Sequence, residues 1–414
     1  MTKINSIKIL HTADWHLGKR LNQFSRHTEQ LAVMDELCAI ADTQQVDLVI
    51  VAGDLYDTFN PPAESQELFY KTIHRLTNNG KRAVVAIAGN HDMPERIEAP
   101  LPLANNCGIF LAGFPNSAFT PMKTDARIEI TRSESGFIEL SLPGLDFPVR
   151  ILLTPYANEL RLKTYLGQNE EGADLRNLLA KKWNELADKY CDDKGVNLLA
   201  AHLFVMKKDG EKEEEPEGEK TILHIGGAQE IYSENVPKGI QYVALGHLHK
   251  YNTVDTIPCP VVYSSSPLAY SFAEADQQKY VVVVELSPGK AAEYHKHELN
   301  KGFRLLRKTF DHIEDALIWV KDNPDAYVEV TLRTEDYIDG KSIKQLEDAH
   351  DKVVAIIPEL IQKDEEGKTA VVHQVDLSQD LTTLFKAYFM SENQQEPTEA
   401  IMELFKEILK EEDK

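Results

Sequence analysis

The chain has 414 residues, 42% hydrophobic and 27% charged, proportions of a soluble globular protein too long for one ordinary domain. Its formal net charge of -22 opposes nucleic-acid binding on charge alone, because such binding draws on a basic footprint. No apolar run reaches membrane-spanning length, Met1 to Leu10 carries no leader pattern, and Cys38, Cys107, Cys191 and Cys259 lack CxxC spacing. Zinc-ribbon chemistry is thereby excluded, and reduced thiols in a cytoplasmic protein are expected.

Ile7 to Leu10 is a branched apolar run that reads as a buried strand, with Asp14-Trp15-His16 beyond its end. Thr28 to Asp42 places Leu31, Met34, Leu37, Cys38 and Ala41 at helical spacing. A strand over Leu48 to Val51 leads into Gly53-Asp54. A second helix over Glu64 to Thr77 carries Leu68, Phe69, Ile73 and Leu76, and Asn78-Asn79-Gly80 is its stop. Val84 to Ile87 is the next strand, followed by Gly89-Asn90-His91-Asp92. From Cys107 to Leu153 short alternating runs predict further strands, among them Arg127 to Thr131 and Gly136 to Leu142.

Leu175 to Tyr190 predicts a helix. Asn197 to Leu199 precedes His202, and Tyr242 to Leu245 precedes Gly246-His247-Leu248-His249. Between them Lys207 to Lys220 (KKDGEKEEEPEGEK) is nearly free of apolar side chains and reads as a solvated loop. Val261 to Tyr263, Tyr280 to Leu286 and a run near 291–298 are late strands. Composition shifts after Leu286-Ser287-Pro288-Gly289. Arg304 to Phe310, Ile313 to Lys321, Tyr327 to Arg333, Ser342 to Ile356 and Ala370 to Asp376 then predict a strand-helix-strand-helix-strand unit. A last helix starts at Thr398, with Ile401, Met402, Leu404, Phe405, Ile408 and Leu409 on one apolar stripe. The expected domains are 1–298, 299–378 and a helical segment over 379–414.

In open α/β sheets ligands bind beyond the carboxyl ends of the strands, so these motifs converge. Hard oxygen and borderline nitrogen donors with one shared carboxylate suit a pair of divalent cations. Asp14 and His16, two apart, can face one ion. Asp54, next to a glycine that lets backbone approach closely, is the natural bridge. Asn90 offers an amide oxygen, His247 and His249 can reach adjacent ions, and His202 completes the set. A lone histidine reads as structural, and His27, His74, His295, His312 and His350 keep that reading. For His202 the ordered set reverses it. His11 and His224 stay open between a role beside the ligands and a core or surface role.

These runs resemble the calcineurin-like metallophosphoesterase superfamily, whose motifs read DxH, GD, GNH[DE], H and GHxH. Thr58-Phe59 after Asp57, and Asp92 closing the third motif, separate the chain from the Ser/Thr protein phosphatases. HTADWHLGKRL, VAGDLYDTFNPP, IAGNHD, YVALGHLHK and YSSSPLAYSF are similar to the superfamily's DNA-repair and recombination nucleases, which act with an SMC-type ATPase. The resemblance implies a four-layer β-sandwich flanked by helices, a small α/β capping domain and C-terminal helices.

It also implies that Asp14, His16, Asp54 and His249 hold one ion and that Asp54, Asn90, His202 and His247 hold the other. His91 would act on the scissile phosphate or the leaving oxygen. Two Mn2+ ions with Mg2+ as substitute, and DNA cut at duplex ends and within single strands or hairpins, are implied in the same way. So are a homodimer and an ATPase partner that receives the C-terminal helix. Archaeal and eukaryotic members place a histidine where Asp57 stands, so that histidine's role is not carried over. The competing readings are a phosphodiesterase or phosphatase for small substrates, and a non-catalytic dimerisation scaffold; the intact ligand set argues against the scaffold.

Overall fold

Strands that are apolar at successive positions bury both faces and need cover on each side. The computed structural model supplies that cover with two sheets. It describes residues 6–156, 175–210, 231–334, 338–363 and 369–371, together with 385–386, 389, 397–398, 401–402 and 405. The chain divides into two units, Met1–Arg307 with Asp325–Val328, and Lys308–Pro324 with Glu329–Lys414.

In the first unit a six-stranded sheet runs in the order Glu293–Leu299, Lys279–Leu286, β1 (Ile7–Thr12), β2 (Leu48–Ala52), β3 (Ala83–Ile87), Ile109–Ala112. An eight-stranded sheet begins at one edge with Tyr251–Asp255 and Val261–Ser264, continues through β5 (Tyr242–Gly246), β4 (Val196–His202) and Val149–Thr154, and ends in a meander over Met122–Ser141. β2 is parallel to β1 and β3, with Val51 opposite Thr12 and Ala52 opposite Ile87. β4 and β5 are also parallel, with His202 opposite Gly246.

Between the sheets, Ile9, Ile50 and Val85 share a core with Leu198, Ala244 and Val262. The alternate residues face outward onto helices. Leu10, Val49 and Val84 pack with Leu37 of α1 (His27–Thr43) and Phe69 of α2 (Ala63–Leu76). Leu199 and Leu245 pack with Trp183 and Leu186 of the helix Leu175–Tyr190. This is the four-layer sandwich that the resemblance implied.

The carboxyl ends of the two parallel sets meet where Gly246 passes Ala52. A Cβ on Gly246 would lie 1.8 Å from the Ala52 carbonyl oxygen and 2.9 Å from His202 Nδ1. Gly246→Ala should therefore force the sheets apart and cost about 3 kcal/mol, read as a lower urea midpoint. An unchanged midpoint would show that the sheets part freely at this point.

The second unit carries the helices Ile313–Asp322 and Gly340–Ala349 and most of a sheet in the order Arg304–Phe310, Ala326–Thr334, Val353–Lys363, Thr369–Val371. Here one sequence expectation is corrected. Apolar spacing predicts that the second helix runs to Ile356, but it ends at Ala349. His350 turns to extended backbone (φ -156°, ψ 118°), and its Nε2 donates to the Asn323 carbonyl at 3.0 Å. The β-branched run Val353, Val354, Ile356, Ile357 then forms a strand that periodicity missed.

Further on, Phe385 stacks on Phe405 (centroids 4.0 Å apart, planes at 8°), and Met402 is buried. Part of the C-terminal stripe thus packs on this chain. Leu404, Ile408 and Leu409 lie outside the described residues, as do His224, residues 372–376 and most of Lys207 to Lys220. Among the described residues no helix is long and apolar enough to cross a membrane. The four cysteines are free thiols.

Candidate metal centre

Backbone conformation marks the site before any side chain does. Asp14, His16, Asp54 and His247 have φ of 55°, 43°, 47° and 109°. Left-handed backbone costs a non-glycine residue on the order of 1–3 kcal/mol and gathers at functional sites. The Asp14 N–H donates to Gly53 O at 3.0 Å and the His16 N–H to Asp54 O at 2.9 Å. The loops after β1 and β2 therefore run side by side.

Asp54 lies at the centre. Its Oδ2 is 3.5 Å from His16 Nε2 and 3.3 Å from His202 Nε2, while Oδ1 accepts the His91 N–H at 2.9 Å. Gly89 leaves room for it, since a Cβ there would fall 2.1 Å from Asp54 Oδ1. Two donor triplets share Asp54: His16, Asp54 and His91, and Asp14, Asp54 and His202, with ligand atoms within 4.8 Å of one another. His249 stands on the first side, its Nε2 3.0 Å from His16 Nε2. The other side takes the His247 ring, 5.6 Å from that of His202, and Asn90, whose Oδ1 is 2.8 Å from His202 Nε2. All the candidate ligands come together, each 5% exposed or less. Asp14, placed with His16 by the resemblance, stands in the triplet with His202.

Supporting contacts decide which nitrogen each imidazole can offer. His202 Nδ1–H donates to Ala52 O (2.9 Å) and His91 Nδ1–H to Asp57 O (2.7 Å), so Nε2 is the working nitrogen of both. Charge follows geometry. Burial pushes the Asp14 carboxyl up to about 7, with Asp54 adding to the rise and His202 and His16 opposing it. Asp54 is equally buried, yet His202 and His16 hold it well below the usual carboxylate range. Burial would lower His202, but Asp54 and Asp14 raise it to about 9. Positive charge is thus drawn to the point where the donors converge. Asp14 Oδ2 is buried and accepts no hydrogen bond among the described residues. An acceptor kept from water in this way, among carboxylate and imidazole donors, fits a divalent cation.

Three further side chains complete the account. The Asp92 carboxylate accepts the N–H groups of Leu55 (3.0 Å), Tyr56 (2.9 Å) and Gly89 (2.8 Å), bracing the loops after β2 and β3. Its place in the third motif was the only sequence signal for that brace. Asp57 lies 3.2 Å from Lys19 Nζ and 3.7 Å from His16 Nδ1. His11 proves to be a core residue bonded to Tyr242 Oη (3.0 Å) and Leu245 O (3.1 Å), and burial lowers its pKa to about 3.

A sandwich of this build, with its donors at the strand ends, places the chain in the calcineurin-like phosphoesterase family, whose sequence profile matches residues 7–251. That span takes in every candidate ligand. Within the class, the chain is 32% identical over 409 residues to SbcD, the D component of the nuclease SbcCD, from Bacillus subtilis, covering 97% of each chain. It is 30% identical over 295 residues to the SbcD of Rhodobacter capsulatus, covering 70% of this chain and 68% of that one. A dimetal phosphatase from Danio rerio aligns in structure with a TM-score of 0.37 at 11% identity, over 72% of this chain and 99% of that one.

Proposed function

We propose that the chain is the nuclease component of an SbcCD-type complex, a metal-dependent phosphodiesterase acting on duplex DNA ends and within single strands or hairpins. The observation that carries this reading is the pair of donor triplets sharing Asp54. Asp14, His16, Asp54, Asn90, His202, His247 and His249 are the residues that would hold two Mn2+ ions, with Mg2+ as substitute; mixed carboxylate and imidazole donors suit manganese. Bound metals supply an activated water and neutralise charge on the phosphate oxygens. The protein's own groups do the orienting. The carbonyls of Ala52 and Asp57 stop the His202 and His91 rings from turning. With Nδ1–H committed to Asp57 O, His91 in its imidazolium form would present Nε2–H to steady a phosphate oxygen or to give that proton to the leaving oxygen.

The experiment is a nuclease assay after chelation, with and without manganese, on hairpin and single-stranded DNA and on a chromogenic diester. Cleavage of the diester alone, with no DNA cut even when SbcC is added, would replace this reading with a small-substrate enzyme.

The proposed partner is an SbcC-like ATPase of the SMC type, bound to a homodimer of this chain within a heterotetramer. Residues 299–378 would cap DNA and residues 379–414 would dock the ATPase as helix-in-groove. A basic partner surface also answers the net charge of -22. Removing residues 379–414 should abolish co-purification with SbcC and spare manganese-dependent cleavage of single-stranded DNA. A truncated chain that still co-purifies would place the docking surface elsewhere.

A further inference from the structure

His249 turns Nε2 toward His16 and Nδ1 toward Glu274, whose Oε1 is 3.1 Å away. Glu274 ends the short helical turn Phe272–Glu274 and is 3% exposed. A carboxylate so deep in a protein needs a counter-charge. Lys279, at the start of the strand Lys279–Leu286, supplies it: Nζ is 2.5 Å from Glu274 Oε2. The same ammonium donates to the His249 carbonyl at 2.6 Å and to Ser266 Oγ at 3.0 Å. An ammonium has three protons to give, and these three acceptors are its nearest, with Gln277 Oε1 farther off at 3.4 Å. Lys279 therefore grips both the carboxylate behind His249 and the backbone of His249 itself.

Stability gives little reason for such a pair, since replacing a buried ion pair by apolar side chains is often neutral or favourable. Orientation does give a reason. We propose that Glu274 and Lys279 are positioning residues for His249: they fix its Nδ1–H tautomer and ring plane, so that Nε2 is the donor presented beside His16. The inference deepens the metal-centre reading and rests on His249 being a ligand. It also makes the two ion positions unequal. His202, on the other side, donates Nδ1–H to a neutral carbonyl (Ala52 O, 2.9 Å), with Asp14 Oδ1 farther off at 3.8 Å, and among the contacts described no ammonium stands behind it. Outer contacts of this kind set metal affinity by about 10- to 100-fold.

Calorimetric titration of the full chain with manganese tests the pair. Wild type should take up two ions. Glu274→Gln, equal in shape but uncharged, should weaken one of them by about 10- to 100-fold and leave the other in place. The manganese concentration for half-maximal cleavage should rise by the same factor, with turnover restored at saturation. Two ions held at wild-type affinity by a folded variant would overturn the proposal, as would equal weakening of both. A wild-type chain that binds no manganese would instead sink the metal-centre reading itself. Should the variant not fold, the wild-type chain decides. Long-range proton–nitrogen NMR of His249 should show the Nδ1–H tautomer, and the Nε2–H form would overturn the proposal.

Discussion

Asp54→Asn should give a folded chain whose DNA cleavage is down by roughly a thousand-fold or more, the equivalent of about 4 kcal/mol of transition-state stabilisation. Asp54 Oδ2 stands 3.5 Å from His16 Nε2 and 3.3 Å from His202 Nε2, so one substitution removes a charge from both ion positions. Folding should survive. The asparagine carbonyl can still accept the His91 N–H, and a φ of 47° is a conformation asparagine adopts readily. Initial rates on hairpin DNA at saturating manganese, taken with the melting temperature, check both halves. Near-wild-type cleavage would refute the bridging role.

His91→Gln should fail in a different way. The two ions stay and turnover falls by roughly 10²- to 10⁴-fold, the range for losing a positioned proton donor. The hydrogen bond from His91 Nδ1 to Asp57 O leaves Nε2 as the only ring nitrogen able to meet substrate. His91 also belongs to the triplet with His16 and Asp54, which makes a ligand role the specific alternative. Manganese calorimetry separates the two: an ion lost along with activity would move His91 among the ligands.

The site was legible because each ligand run follows a largely apolar, buried strand, so motif and strand are both local signals. Which sheet a strand joins was not. Leu48–Ala52 and Tyr242–Gly246 are buried at every position and look alike as sequence; tertiary pairing alone sends them to different sheets. Glu274 and Lys279 escaped notice for another reason. They sit in a polar stretch, and no periodicity marks a charged residue as buried. The strand Val353–Lys363 was missed because its first apolar residues extend the spacing of the preceding helix. Their β-branching was the signal that should have decided. Asp14 and His16, two apart in sequence, come from the loop after one sheet, and Asp14 and Asp54 meet His202 from the other sheet; that meeting is a tertiary event no local motif records.

The left-handed backbone at Asp14, His16, Asp54 and His247 bears on how such a protein evolves. At each position glycine relieves strain on the order of 1–3 kcal/mol, and each such change removes a ligand. Catalytically dead descendants therefore melt at higher temperature than the working protein. Random drift runs toward them, and only continued selection for cleavage holds the lineage at its less stable, active sequence.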